Sequence, residues 1–438
     1  MLLIYVLLGI LALILLVAYF HLDTFISFVI VSIGLGLACG MNVTAISQSL
    51  EKGIGGTLGS LVIIIGFGSM LGKLVAESGA AQRITTTLMN IFGLKYLPWG
   101  LALAGFIIGL PLFYNAGFVI VIPLIFTIAA STRLPMLYVA VPMLSALSVA
   151  HGYLPPHPSP TAIAAQFNAN VGQTLFYGII VAIPAIILAG PVFAKTLKKY
   201  DPKPDASLFN TKQFTEAEMP SLSISLFVAL LPLILLTLMP WLKSQFAEPS
   251  ALYTVFSFLG DPSISMLVSV LVAIYFLGTQ RGRTTKSVMK SLEEAFKSVS
   301  IILLIVAGAG GFKQILTDGG VSKYIGELLA DVQISPLILG WAIAGVIRIC
   351  VGSATVAGLT AVGIIAPLVQ SQGVKPELMV LAIGSGSLIC SHLNDGGFWL
   401  FKEYFNLSIK ETLQTWTVME TIVSIVGLIG VIILDQFV

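Results

Sequence analysis

From Leu134 to Ala194 the chain carries no Asp, Glu, Lys or Arg. A water-facing surface cannot be built from such a stretch, because soluble domains carry roughly 25% charged residues. Over the whole chain of 438 residues only 10% are charged and 57% are hydrophobic. A helix rises 1.5 Å per residue, so about 20 apolar residues cross the hydrocarbon. The charge-free stretch alone has room for two or three crossings. The chain reads as an all-α polytopic membrane protein. No alternating apolar pattern of the kind a β-barrel needs is present.

Apolar windows fall near 2–20, 24–41, 54–75, 97–131, 136–150, 174–194, 222–242, 262–279, 299–317, 335–370, 376–391 and 412–434. Two of them, 97–131 and 335–370, exceed one helix and hold Gly, Pro or polar residues near the middle. Each is expected to be two helices or a broken pair, giving about 12–14 hydrophobic elements. The first window has no basic n-region and no cleavage site, and reads as a retained helix. Cys39, Cys350 and Cys390 stand apart in apolar surroundings, which argues for packing roles and against a disulfide framework. The net charge of +2 gives no reason to expect nucleic acid.

The polar stretch 195–221 divides the chain into nearly equal halves, 1–194 and 222–438, and equal halves invite a search for repeats. An offset of 241 lays Pro135-Met-Leu-Tyr-Val on Pro376-Glu-Leu-Met-Val, His151 on His392, Gly79 on Gly320 and Ile84 on Ile325. Equivalent loops differ in charge. The loop holding Arg281, Arg283, Lys286, Lys290 and Lys297 answers to residues 42–53, which carry one lysine. Lys and Arg mark the cytoplasmic side of short loops. Two inverted-topology repeats joined by a cytoplasmic linker are therefore expected, with both chain ends outside.

Polar groups at membrane depth are costly unless they face a cavity or a partner. Two non-helical clusters stand at matching places in the halves. The first, His151-Gly-Tyr-Leu-Pro-Pro-His157-Pro-Ser-Pro-Thr161, holds four prolines, too many for a continuous helix. The second is His392-Leu-Asn394-Asp395-Gly-Gly-Phe-Trp399. Paired breaks of this kind point to a transporter's binding site; interfacial loops are the plainer alternative. Arg348 is the only charge between Asp331 and Lys375. It precedes Gly352-Ser353-Ala354-Thr355, a turn suited to present free amides to an anion, though an arginine near a helix end also snorkels to headgroups. Ser385 and Ser387 are either hydroxyl donors or helix-packing contacts.

A proton-coupled carrier needs groups that change charge. His151 and His392 qualify by type, and Asp395 and Glu420 are the carboxyl candidates. The glycine runs at 53–59 and 308–311 lack the Lys-Ser/Thr ending of a nucleotide loop. No metal site or cofactor is expected: His151, His157, His392 and Asp395 lack one-helix ligand spacing. A membrane-embedded metalloenzyme with those four residues as ligands, and a passive channel or sensor, are the two non-carrier readings.

These motifs resemble the gluconate permease family, within a wider ion transporter superfamily. The resemblance rests on Gly53-Ile-Gly-Gly-Thr-Leu-Gly-Ser60, Ala150-His-Gly-Tyr-Leu-Pro-Pro-His-Pro158, Gly352-Ser-Ala-Thr-Val356, and Ser391-His-Leu-Asn-Asp-Gly-Gly-Phe-Trp399 with Phe401-Lys-Glu-Tyr-Phe405, and covers essentially the whole chain. It implies an inner-membrane, multi-pass proton symporter for gluconate or a related sugar acid, with inverted repeats, two re-entrant hairpins and a homodimeric assembly. In the segment Leu112–Val119, Asn115 stands where an acidic residue is expected. Asparagine cannot titrate, so proton coupling would rest elsewhere. The expected anion contacts are Arg348, Ser353, Thr355, His157, Thr161, Asn115, Ser385, Ser387 and Asn394. The expected proton-coupling groups are His151, His392, Asp395 and Glu420. A sodium-coupled dicarboxylate or citrate carrier is the alternative.

Overall fold

The computed structural model describes residues 2–200, 202, 214–248, 250–321, 334–371 and 373–438. Ile325 of the repeat, and Asp201 and 203–213 of the linker, lie outside the described residues. Among those described, the chain is helical throughout. Seven helices are long and apolar enough to cross a membrane, one further pair is bent by 109°, and six shorter apolar helices complete the set. That total of fourteen is at the upper end of the expected range. Both over-long windows prove to be broken pairs.

In the first half run α1 (Leu2–Ile14), α2 (Thr24–Ala38), α3 (Val43–Glu77), α4 (Ala80–Phe92), α5 (Leu97–Gly109), α6 (Tyr114–Thr132), α7 (Met136–Tyr153), α8 (Pro158–Phe167) and α9 (Val171–Ile187). In the second run α10 (Leu222–Lys243), α11 (Ala251–Leu259), α12 (Pro262–Ala273), α13 (Thr285–Asp318), α14 (Pro336–Val351), α15 (Ala354–Ser371), α16 (Pro376–Gly386), α17 (Gly396–Tyr404) and α18 (Val418–Leu434). Glu77 ends α3 and Asp318 ends α13, 241 positions apart. The break between α5 and α6 answers in order to that between α14 and α15. The sequence missed α4 because Gln82, Arg83 and three threonines keep it below any apolar threshold.

Helix length decides what each element can do. α3 has 35 residues and α13 has 34, about 50 Å each at 1.5 Å per residue. They pack on each other in the most extensive helix contact of the fold. α5 has 13 residues and α14 has 16, about 20 and 24 Å, short of a hydrocarbon layer of about 30 Å. Each is too short to cross alone, and after it the chain turns back through a partner helix. The crossing rod α7–α8 is the most buried span; α7 packs on α5 and α9, and α8 on α15 and α16. Tyr153 at the end of α7 donates its hydroxyl to Val423 O of α18, joining the halves. Pro158 and Pro160 sit in the first turn of α8, where no amide hydrogen is missed.

The end of the linker is fixed against α4. Gln82 exchanges two hydrogen bonds with the Phe214 backbone, at 2.9 and 3.0 Å. Arg83 donates to Pro220 O and Glu216 O, and Arg281 of the basic loop donates to Glu218 O at 2.7 Å. Linker and basic loop thus lie on one side of the bundle.

The α3–α13 seam depends on absent side chains. A Cβ on Gly53 would run into Gly310 O, and one on Gly310 into Thr57 and Gly53 O. We expect Gly53→Val or Gly310→Val to cost about 1–3 kcal/mol by overpacking, read as a lower thermal midpoint in detergent. Gly56→Val, with open space around it, should stay within about 0.5 kcal/mol of the parent.

Candidate functional site

Four backbone breaks meet near the centre: Leu110–Phe113, Leu154–His157, Gly352–Ser353 and Ser387–Asp395. A helix that ends leaves its last carbonyls without partners, and lipid supplies none. Here the breaks satisfy one another. His157 Nε2 lies 2.7 Å from Gly109 O at the end of α5. In the second half, Asn394 Nδ2 donates to Ile349 O at 2.8 Å and Cys350 O at 3.2 Å, and His392 Nε2 stands 3.1 Å from Ile349 O. Gly352, at φ +81°, closes α14 in the left-handed region, and a Cβ there would strike Asn394 O.

Arg348, in the last turn of α14, is 3% exposed. It does not reach for headgroups. Its Nη2 lies 2.5 Å from Asp395 Oδ2, its Nη1 donates to Gly352 O, and its Nε has no hydrogen-bond partner among the described residues. Asp395 is fully engaged: Oδ2 also accepts from Ser391, and Oδ1 accepts from the Gly397 amide at 3.0 Å, capping α17. Trp416 Nε1 donates to Ser391 at 2.7 Å and fixes that hydroxyl.

These groups wall a cavity of about 490 Å³ whose lining includes Tyr114, Ser148, His151, Arg348, Asp395 and Glu420. Ser353 and Thr355 line it at the start of α15, as does Asn394. Ser353 caps that helix, accepting from Val356 N at 3.3 Å. Glu420 is 1% exposed, with Ser148 beside it and neither oxygen in a hydrogen bond of good geometry among the described residues.

Two histidines form a relay. His151 Nδ1 and His157 Nδ1 are 3.3 Å apart. A carbonyl only accepts, so His157 Nε2 carries the hydrogen toward Gly109 O. In the neutral ring its Nδ1 then accepts, and His151 Nδ1 donates. The free lone pair of the couple is on His151 Nε2.

The other expected residues are placed differently. His392 caps α14 and does not line the cavity, so it stands apart from the His151 relay. Ser385 and Ser387 donate to Ala382 O and Gly384 O inside their own helix, in the packing arrangement. Thr161 is buried in α8, its hydroxyl without a partner among the described residues, and lies outside the cavity lining. Asn115 falls in the first turn of α6; its side chain lies outside the described residues. Among the described residues no group of three or more His, Cys, Asp or Glu could hold a metal ion.

Sequence reasoning missed Tyr114, Ser148, Ser391 and Trp416. Helical spacing offered a signal for two of them: Ser148 precedes His151 by three residues and Trp416 precedes Glu420 by four, each pair on one helix face. The contact of Tyr114 with Trp416 and the bond from Trp416 to Ser391 are across space.

Breaking a buried pair strands a charge, at about 3–5 kcal/mol, whereas replacing both partners by apolar groups is often neutral. Asp395→Asn should therefore lower the thermal midpoint more than the double change Arg348→Met with Asp395→Leu. Equal losses would show that the ion pair is not what holds the break.

A family model described as "GntP family permease" matches residues 1–438. A high-affinity gluconate transporter of Escherichia coli strain K12 is 49% identical over 434 residues, covering 99% of each chain. A Gnt-II system L-idonate transporter of the same strain is 46% identical over 427 residues, covering 98% of this chain and 97% of its own. A gluconate permease of Bacillus subtilis strain 168 is 46% identical over 444 residues, covering 99% of each. Among solved structures, the YdaH transporter of Alcanivorax borkumensis superposes with a TM-score of 0.65 at 16% identity, covering 94% of this chain and 96% of its own. MtrF of Neisseria gonorrhoeae gives 0.65 at 14% identity, covering 89% and 84%. These two likenesses speak for the fold alone. With the match running the full length of the sequence, the chain belongs to the GntP permease family and is a multi-pass membrane transporter, not an enzyme.

Proposed function

We propose that this permease imports a sugar acid of the gluconate or idonate type across the inner membrane, by alternating access and in symport with a proton. The observation that carries the reading is the unpartnered Nε of buried Arg348, in the wall of a polar cavity of about 490 Å³. Ligand sites of about 300–1,000 Å³ are usual for small molecules. A carboxylate there meets a guanidinium and the first amides of α15 together, the combination that favours anions. Ser148, Ser353 and Thr355 supply short polar groups for the hydroxyls of an aldonate. An apolar or cationic cargo would leave them unmatched.

The relatives named for gluconate and L-idonate support this substrate class. Proton coupling needs a titratable group that no ion pair has claimed. Asp395 is held by Arg348, Ser391 and Gly397. Glu420 and the His151 relay are uncommitted, and both line the cavity. The halves 1–194 and 222–438 cross the bilayer in opposite senses on either side of a cytoplasmic linker, 195–221. The shared side of linker and basic loop supports this topology.

Reconstituted into vesicles, the protein should accumulate labelled gluconate or idonate when the outside is acid. A protonophore should abolish the accumulation, and replacing sodium should leave it unchanged. Arg348→Lys loses the planar fork and should lower uptake about tenfold or more, equivalent to about 1.4 kcal/mol. Glu420→Gln should lose the response to the proton gradient and keep substrate exchange between equilibrated compartments. Accumulation that follows sodium instead of pH would sink the symport reading.

A further inference from the structure

The central cavity has a neighbour. A second cavity, of about 850 Å³, lies toward the linker, and Lys73, Glu77, Gln82, Pro123, Phe214 and Arg283 are among its lining residues. Two helices run past both. α6 borders the central cavity with Tyr114 and the second with Val119 and Pro123; α13 borders the second with Ala295 and the central with Val299 and Ile302. Phe113, Ala116 and Ser298 border both. The partition between the cavities therefore rests on one aromatic ring and two small side chains.

Among the described residues that border both cavities, Phe113 is the only bulky one. Its neighbour Ser298 folds its hydroxyl back onto Ala295 O at 2.6 Å, adding little bulk. Phe113 sits in the backbone break as the residue before α6, with φ −61° and ψ 146°. Its ring stands 5.7 Å from the His157 ring, lies against Gly68 of α3 and is half-buried. A ring in a break can turn about χ1 without disturbing a helical ladder. A closed apolar constriction also stops ions and hydrated solutes by excluding water.

The second cavity has the character of a vestibule. Glu77 is bound by Lys73 at 3.1 Å and by Arg283 at 3.2 Å, and Ser291 donates to it at 2.7 Å. Lys73 also stands 3.7 Å from Glu294, so two cations and two carboxylates form a charge-balanced polar network at this cavity.

We infer that Phe113 is the gate between the central cavity and a vestibule on the linker side, through which the anionic cargo passes. The choice of a sugar acid as cargo rests on the function proposed above; the gate itself does not. In a background with Cys39, Cys350 and Cys390 replaced by serine, a reporter Ser148→Cys is placed in the central cavity. A second reporter, Ala295→Cys, is placed separately in the vestibule. A membrane-impermeant thiol reagent is then applied to each face of sealed vesicles.

From the linker face, Phe113→Ala should raise the labelling rate at the Ser148→Cys reporter about tenfold or more, and Phe113→Trp should lower it. The Ala295→Cys reporter should change less than about twofold in either variant. Unchanged labelling at the central reporter in both variants would overturn the gate. So would an equal rise at both reporters, which marks general loosening. Failure of the parent to take up gluconate or idonate would sink the substrate reading and leave the labelling outcome intact.

Discussion

A helix that stops inside a bilayer has to find partners for its terminal carbonyls within the protein, since lipid offers none. This requirement organises the structure. The short arms α5 and α14 end at Gly109 and Val351, and their exposed carbonyls are met by His157, His392 and Asn394, which belong to the breaks of two other rods. Each break is thus the solution to another's deficit. The four interruptions cohere only when brought together, and bringing them together creates a polar space in an apolar bundle.

The ion pair of Arg348 and Asp395 belongs to the same logic. One guanidinium nitrogen bonds the carbonyl of Gly352 in one break, and another pairs with the residue that caps α17 at the next break. The pair ties the turn between α14 and α15 to the start of α17. Around it the long helices α3 and α13 touch at Gly53 and Gly310, so the two halves share a close seam through scaffold as well as through site.

How much of this could be read from sequence follows from range. The breaks were legible because proline runs and small polar residues are local signals. Arg348 stood out because charge is rare in this chain. The offset of 241 matched His151 with His392, and helix bounds follow the same offset, but position did not fix chemistry: one histidine joins a relay at the cavity and the other caps a helix. The bond between Ser391 and Trp416 was invisible because it joins residues 25 positions apart. The vestibule was hidden for the same reason, since α3, α4, α6, α13 and the linker all contribute to it.

The division between polar groups that are spoken for and those that are not separates architecture from action. Buried polar atoms are nearly always paired, so each exception needs a reason. Asp395, Ser391, Asn394 and His157 have their bonds inside the protein, and they hold the fold. Arg348 Nε, the Tyr114 hydroxyl and both oxygens of Glu420 have none of good geometry among the described residues, and all three residues line one cavity. A donor cation, a hydroxyl and a carboxyl left open around a common space suit the proposed guest: negative at one end, rich in hydroxyls, and accompanied by a proton. A guest that lacked the charge would leave the guanidinium nitrogen unmet, and one that lacked the hydroxyls would desolvate the rest of the wall without compensation. On the proposed reading, unmet bonds at the centre carry the selectivity, and the met bonds around them keep those groups in place.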